Sequence, residues 1–126
     1  MMPKKVLIVD DEPDFCDALR DFLRSKGFEV AIALSGEEAL RAYMREKPDV
    51  VLLDIQMPGM DGLETLRELK VLDPGANAIM VTAIEDDEFV KRAMVEGALD
   101  YITKPVDHDY LVLALLTKTG PWGSDE

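Results

Sequence analysis

One cysteine, Cys16, stands in 126 residues, so the chain forms no internal disulfide and fits a reducing compartment. No apolar run reaches the roughly 18 residues that a membrane span needs, which excludes a transmembrane helix. Bases are scarce, 14 against 26 acids, and the formal net charge is −12. A field of that sign repels a phosphate backbone, so this chain is not expected to bind nucleic acid directly. There is no internal repeat, no low-complexity tract and a single histidine, His108. No glycine-rich phosphate loop of the GxGxxG or Walker A kind follows the first apolar run. The opening Met1-Met2-Pro3-Lys4-Lys5 leads into Val6-Leu7-Ile8-Val9, too short for a signal-peptide core and ended by acids. The expected location is therefore cytoplasmic.

What is present reads as one compact globular domain: 48% apolar and 32% charged residues at a length that fits a single core. Two periodicities alternate. Short β-rich apolar runs fall at 5–9, 28–33, 50–53, 78–81 and 101–103, and between them apolar residues recur at helical spacing. Phe15, Leu19, Phe22 and Leu23 mark a first helix face, and Ala39, Leu40 and Tyr43 a second. Leu63, Leu66 and Leu69 mark a third, Phe89, Val90, Ala93 and Met94 a fourth, and Leu111, Val112, Leu115 and Leu116 a fifth. Pro13 suits a first helical turn, and Ser35-Gly36-Glu37-Glu38 has the spacing of a capping box. Gly27, Pro48, Gly75, Gly97 and Gly120-Pro121 close the helices in turn. The last residues, 120–126, carry no partner pattern and are read as a tail after a domain over 4–119. Strands alternating with helices imply an α/β fold with a parallel sheet covered on both faces.

In open sheets of this kind ligands lie beyond the carboxyl ends of the strands. Those ends gather Asp10 and Asp11 with Glu12 after the first strand, Asp54 after the third, Thr82-Ala83 after the fourth and Lys104-Pro105 after the fifth. Asp11 taken alone is better explained as a helix cap than as a ligand, Lys104 reads equally as a solvated lysine, and Thr82 as an ordinary helix cap or a β-branched strand residue. Asp54 follows four apolar residues and precedes Ile55, which does not suit a surface acid. Two carboxylates about 4 Å apart cost on the order of 4 kcal/mol at an effective dielectric of ~20, so a cluster needs a cation, a proton or a lysine. Oxygen ligands without histidine or cysteine favour a hard ion such as Mg2+. A cation, an ammonium and a hydroxyl around one carboxylate are the parts of a phosphoryl-transfer site.

Four separated segments carry a resemblance. Val6-Leu7-Ile8-Val9-Asp10-Asp11-Glu12-Pro13, Val51-Leu52-Leu53-Asp54-Ile55-Gln56-Met57-Pro58-Gly59-Met60-Asp61-Gly62, Val81-Thr82-Ala83 and Gly97-Ala98-Leu99-Asp100-Tyr101-Ile102-Thr103-Lys104-Pro105 occur in order. Together they resemble the receiver domains of two-component response regulators, over about residues 4–118. The resemblance implies a flavodoxin-like, doubly wound five-stranded parallel sheet in the order 2-1-3-4-5 with five helices. It implies that Asp54 is the phosphoacceptor, served by a sensor histidine kinase or phosphotransfer protein. Asp10, Asp11 and Asp54 would hold Mg2+ with the backbone carbonyl of Gln56. Lys104 would bind the phosphoryl group before a cis Pro105, and Thr82 and Tyr101 would switch with it. Pro58 and Gly59 would shape the loop after the acceptor. Gln56 and Ile84 would flank the path of attacking water. The output surface would be helix four, strand five and helix five. Such a domain catalyses only its own phosphorylation and dephosphorylation, and its output partner or domain is not written in this chain.

Three other readings compete. An aspartyl-phosphate hydrolase usually has a second acid two residues after its nucleophile, where this chain has Gln56. A flavin-binding module would need a phosphate loop, and a receiver used only for docking would not need the full set of acids, Thr82 and Lys104. Some receivers dimerise through charged pairs on helices four and five. Helix five here has no base before Lys118, so a homodimer would use a different, more apolar surface. His108 reads as an exposed polar residue, and Cys16 as a packing residue. Met44, Met57, Met60, Met80 and Met94 read as core or loop packing, and Trp122 as either docked on the domain or marking a boundary.

Overall fold

The computed structural model describes residues 4–119. Five strands, β1 (Lys5–Val9), β2 (Glu29–Ala33), β3 (Val50–Leu53), β4 (Ala78–Thr82) and β5 (Asp100–Thr103), alternate with five helices. These are α1 (Pro13–Ser25), α2 (Gly36–Glu46), α3 (Gly62–Leu72), α4 (Asp87–Val95) and α5 (His108–Lys118). The strands form one parallel sheet in the order β2-β1-β3-β4-β5. Strand bounds differ from the sequence expectation by single residues: Phe28 precedes β2, Thr82 belongs to β4 and Asp100 to β5.

Side-chain alternation along the strands makes two cores. Leu7, Val9, Val51, Leu53, Ala78 and Met80 point to the side covered by α2, α3 and α4. Val6, Ile8, Val50, Leu52, Ile79 and Val81 point to the side covered by α1 and α5. Burial on both faces explains why β3 and β4 are wholly buried and read as unbroken apolar runs.

The expected helix faces hold for α1 to α3 and need correction further on. Met94 and Leu116 lie on the solvent side, 45% and 48% exposed, and Val95 and Leu113 are more exposed still. In α4 only Ala93 is fully buried. In α5 the buried residues are Leu111, Ala114 and Leu115. Residues one position away from a core stripe turn by about 100° around the helix, so a contiguous apolar stretch overstates the covered face. Met44 is also exposed, unlike Met57 and Met80, which pack in the core. The proposed closure at Gly120-Pro121 and the reading of Trp122 lie outside the described residues.

Helix ends follow local chemistry. Lys47 itself, at φ 50°, takes the left-handed conformation that closes α2 before Pro48. At the start of α2 the Ser35 hydroxyl accepts from the Glu38 N–H, but the Glu38 carboxylate accepts from Leu34, one residue before the expected partner. The complete reciprocal box is at α3, where Asp61 and Glu64 each accept from the other's backbone N–H. At the opposite end of the sheet, the Lys4 ammonium donates to Thr119 and the Asn77 amide to the carbonyls of Asp49 and Thr119, tying the end of α5 to the sheet.

Removing the Asp61 carboxylate breaks one arm of the box, a charge-assisted bond at the positive end of α3, whereas removing the Ser35 hydroxyl breaks a neutral bond. Asp61→Ala is expected to cost about 1–2 kcal/mol and Ser35→Ala about 0.5–1 kcal/mol. Urea unfolding checks this, with unchanged m-values and the larger loss at Asp61.

Candidate functional site

The reversal of strand order around β1 and β3 creates the site. The chain leaves β1 to build β2 on one side and returns to build β3 on the other, so no connection fills the space above their carboxyl ends. Register sets Val9 beside Leu53, and the next residue on each strand is an aspartate. The Asp10 N–H is held by the Ala33 carbonyl at 3.1 Å and the Asp54 N–H by the Val9 carbonyl at 3.0 Å. One oxygen from each of Asp10, Asp11 and Asp54 lies within 4.8 Å of the others. Asp10 and Asp54 are 1% and 5% exposed, and Asp11 faces solvent.

Asp11 is not a helix cap. The capping position of α1 is Glu12, which makes no side-chain cap bond, and Pro13 occupies the first turn. The Glu12 N–H donates instead to Asp10 at 3.0 Å, and the Gln56 N–H donates to Asp54 at 3.2 Å. Each buried carboxylate is thus oriented by the backbone two residues on, which leaves other oxygen lone pairs free for a ligand.

Lys104 reaches the same point from β5. Its N–H is held by the Thr82 carbonyl at 2.9 Å, and its ammonium lies 2.7 Å from Asp10, 3.5 Å from Asp54 and 3.6 Å from Glu12. The Lys104–Pro105 peptide is cis. Burial works against the charged lysine, but its hydrogen bond to Asp10 and the nearby carboxylates prevail and raise its pKa. Asp10 is pushed up as well, first by burial and also by the charge of Asp54, against the lowering effects of Lys104 and the Glu12 N–H. Three carboxylates and one ammonium carry two net negative charges, all of the ligands are oxygens, and a small hard divalent cation fits that set.

The open pocket, about 280 Å³, is lined by Asp11, Glu12, Asp54, Gln56, Ala83 and Lys104. Thr82 is fully buried and does not line it. The Thr82 hydroxyl accepts from the Ile84 N–H at 3.4 Å, while the half-buried Tyr101 donates its hydroxyl to the Ile84 carbonyl at 2.7 Å. Residue Ile84 therefore joins Thr82 and Tyr101 through its backbone N–H and carbonyl. Pro58 and Gly59 lie exposed on the loop after Asp54, with Gly59 at φ 74°.

Three residues that shape the site were not singled out for it by sequence patterns. Phe15 lies with its ring centroid 4.1 Å from the Lys104 ammonium. The Cys16 thiol donates to the Asp10 carbonyl at 3.3 Å, and burial, with the charge of Asp10, pushes it up to about 12, so it acts as a packing group. Gly62 backs the acceptor strand: a Cβ there would collide with the Asp54 carbonyl oxygen and lie 2.6 Å from the Ile55 Cα. The one legible signal was helical spacing, which placed Phe15 and Cys16 in the first turn beyond the acids. His108 is exposed, as expected, but its ring stacks on Phe22 at 4.2 Å.

Comparisons with known proteins agree with this geometry. Residues 6–116 match the family model described as the response regulator receiver domain. The transcriptional regulatory protein ZraR of Salmonella typhimurium is 45% identical over 107 residues, 84% of this chain. The match covers 24% of that relative, so this chain spans about a quarter of the length of such regulators. The sporulation initiation phosphotransferase F of Bacillus subtilis is 38% identical over 86% of this chain and 88% of its own length. Among solved structures, a CheY-like response regulator receiver domain protein from Methanospirillum hungatei is 35% identical. It has a TM-score of 0.88 and covers 93% of this chain and 94% of that one. The CheX–CheY–BeF3–Mg2+ complex from Borrelia burgdorferi gives 33% identity and a TM-score of 0.90, over 95% and 92% of the two chains.

Because the atoms facing Gly62 are backbone and cannot rotate away, Gly62→Ala is expected to cost about 3 kcal/mol, the upper range for overpacking. Gly75→Ala is the control, since a Cβ there meets only the Asp73 side chain at 3.4 Å. Chemical unfolding of the two variants should separate them clearly.

Proposed function

This chain belongs to the response regulator receiver family of two-component signalling, and on that basis we propose that Asp54 accepts a phosphoryl group from a phosphohistidine. The donor would be a sensor histidine kinase or a phosphotransfer protein. The observation that carries this reading is the placement of Asp54 at the pocket wall, with Asp10 and Asp11 within 4.8 Å and the Lys104 ammonium at 3.5 Å.

The residues would act as follows. An Asp54 oxygen attacks phosphorus in line with the departing imidazole; the phosphorus–oxygen bond forms as the phosphorus–nitrogen bond breaks, and the electron pair leaves on nitrogen. Asp10, Asp11 and Asp54, with the main-chain carbonyl of Gln56, would hold Mg2+, which when bound supplies positive charge to the phosphoryl oxygens. Lys104 exchanges part of its pairing with Asp10 for the incoming phosphoryl group. The Thr82 hydroxyl gives up the Ile84 N–H and donates to a phosphoryl oxygen. Because Ile84 also accepts from Tyr101, that rearrangement would carry to β5 and bias two forms of the domain. The surface that reads the change would be formed by α4, β5 and α5. Water attacking the same phosphorus returns the free carboxylate, past Gln56 and Ile84. The only chemistry is thus the gain and loss of the domain's own phosphoryl group.

The receiver unit would comprise 4–119, with the output supplied by another protein or by sequence outside this chain. Among the described residues no helix is long and apolar enough to cross a membrane. A partner other than nucleic acid suits the net charge of −12, and the site of action would be cytoplasmic.

With Mg2+ and acetyl phosphate, intact-mass spectrometry is expected to show one phosphoryl group added to the wild type and none to Asp54→Ala. Equal labelling of the variant would remove Asp54 from this role. Metal binding has a separate readout. At a Mg2+ concentration 100 times the dissociation constant the wild type should gain about 2.7 kcal/mol of stability. Asp11→Ala, which alters an exposed side chain, should fold normally and lose most of that gain.

A further inference from the structure

We infer that Phe15 is a positioning residue for phosphoryl acceptance, its ring face holding the Lys104 ammonium inside the pocket. The inference rests on the role proposed for Asp54 and Lys104. Phe15 lies in the first turn of α1, three residues after Glu12, and its half-buried ring packs against the α1/α5 core. The Lys104 ammonium stands 4.1 Å from the ring centroid. At that distance the ring quadrupole attracts a cation, more strongly where water is thinned out, and the Lys104 side chain is only 16% exposed.

Competing attractions show why a ring is needed. Around Lys104 stand Asp10 and Asp54, which are buried, and Glu12, 3.6 Å away, whose side chain is 68% exposed. A lysine stem is long and its rotamers are many. Glu12 offers a route outwards to solvent, away from the oxygen that would receive phosphorus. The Phe15 ring attracts the ammonium without neutralising it and without donating or accepting a hydrogen bond. It therefore restricts where the lysine stands and leaves its donors free to turn from Asp10 to a phosphoryl oxygen. A leucine at this position would keep the apolar packing and lose the quadrupole. A tyrosine would keep both.

The test compares wild type, Phe15→Leu, Phe15→Tyr and Asp54→Ala. In the free proteins, NMR of the Lys104 Cε protons reads the ring directly: an upfield ring-current shift is expected in wild type and Phe15→Tyr and absent in Phe15→Leu. The initial rate of phosphoryl gain from acetyl phosphate is expected to fall roughly three- to thirtyfold in Phe15→Leu and to recover in Phe15→Tyr. Thermal unfolding of each variant separates this from loss of fold, which would slow both substitutions in proportion to their instability. A Phe15→Leu rate within twofold of wild type overturns the inference, as does a Phe15→Tyr rate as slow as Phe15→Leu, or an unshifted Lys104 in wild type. If wild type and Asp54→Ala are labelled alike, the role of Asp54 fails and the catalytic consequence of Phe15 fails with it. A ring-current shift that persists in that case shows the fault to lie in the chemistry and not in the placement of Lys104.

Discussion

Lys104 brings one positive charge to within 2.7 Å of Asp10 and 3.5 Å of Asp54, two carboxylates that the sheet has buried side by side. At 4.8 Å, the upper limit of their separation, and an effective dielectric of ~20, a carboxylate pair repels by at least about 3.5 kcal/mol, while an ammonium at 2.7 Å returns about 6 kcal/mol. The ammonium is therefore enough to hold the acids together and not enough to neutralise them. That residual charge is what makes the carboxyl edge a site: it stays folded and still attracts a cation. Every other part of the arrangement follows from keeping this balance in place. The β1–β3 register sets the spacing of the acids, the β4–β5 register delivers Lys104, and the N–H groups of Glu12 and Gln56 fix which oxygens face the pocket.

The same balance ties the site to the opposite face of β5. Lys104 hangs on the carbonyl of Thr82, the Thr82 hydroxyl accepts from the Ile84 N–H, and the Tyr101 hydroxyl donates to the Ile84 carbonyl. These bonds run along main-chain groups with few alternatives. A change in what Thr82 or Lys104 binds must therefore be met by the 82–84 segment. Tyr101 stands on the strand at the sheet's edge, beside α4, where side chains have more freedom than in the wholly buried β3 and β4.

Much of this was legible in the residues because each strand buried on both faces reads as an apolar run ended by a polar residue. Such boundaries locate Asp10, Asp54 and Thr82 without any knowledge of packing, while Lys104 follows the half-exposed edge strand β5 and is marked by the proline after it. What the patterns blurred were the faces of α4 and α5. Met94 and Leu116 are apolar and adjacent to core positions, yet helix rotation turns them to solvent. Hydrophobicity alone does not distinguish a core stripe from an apolar helix surface. The Ser35 cap was readable from spacing, while the partner of the Glu38 arm, the Leu34 N–H, was not.

Contacts made without a polar pattern were the hardest to read. Gly62 looks like an ordinary residue after a helix cap until the Asp54 carbonyl is placed against it. Phe15 looks like a core residue, and it does pack against the core, but its ring also lies under the ammonium of Lys104, 89 positions later in the chain. A ring quadrupole leaves no charge or hydrogen-bonding signature in the sequence, so only the folded geometry shows that an apolar side chain and an ammonium are neighbours. The Lys104 site is thus built on two kinds of attraction. The charges decide that the lysine belongs in the pocket, and the ring narrows where in the pocket it stands.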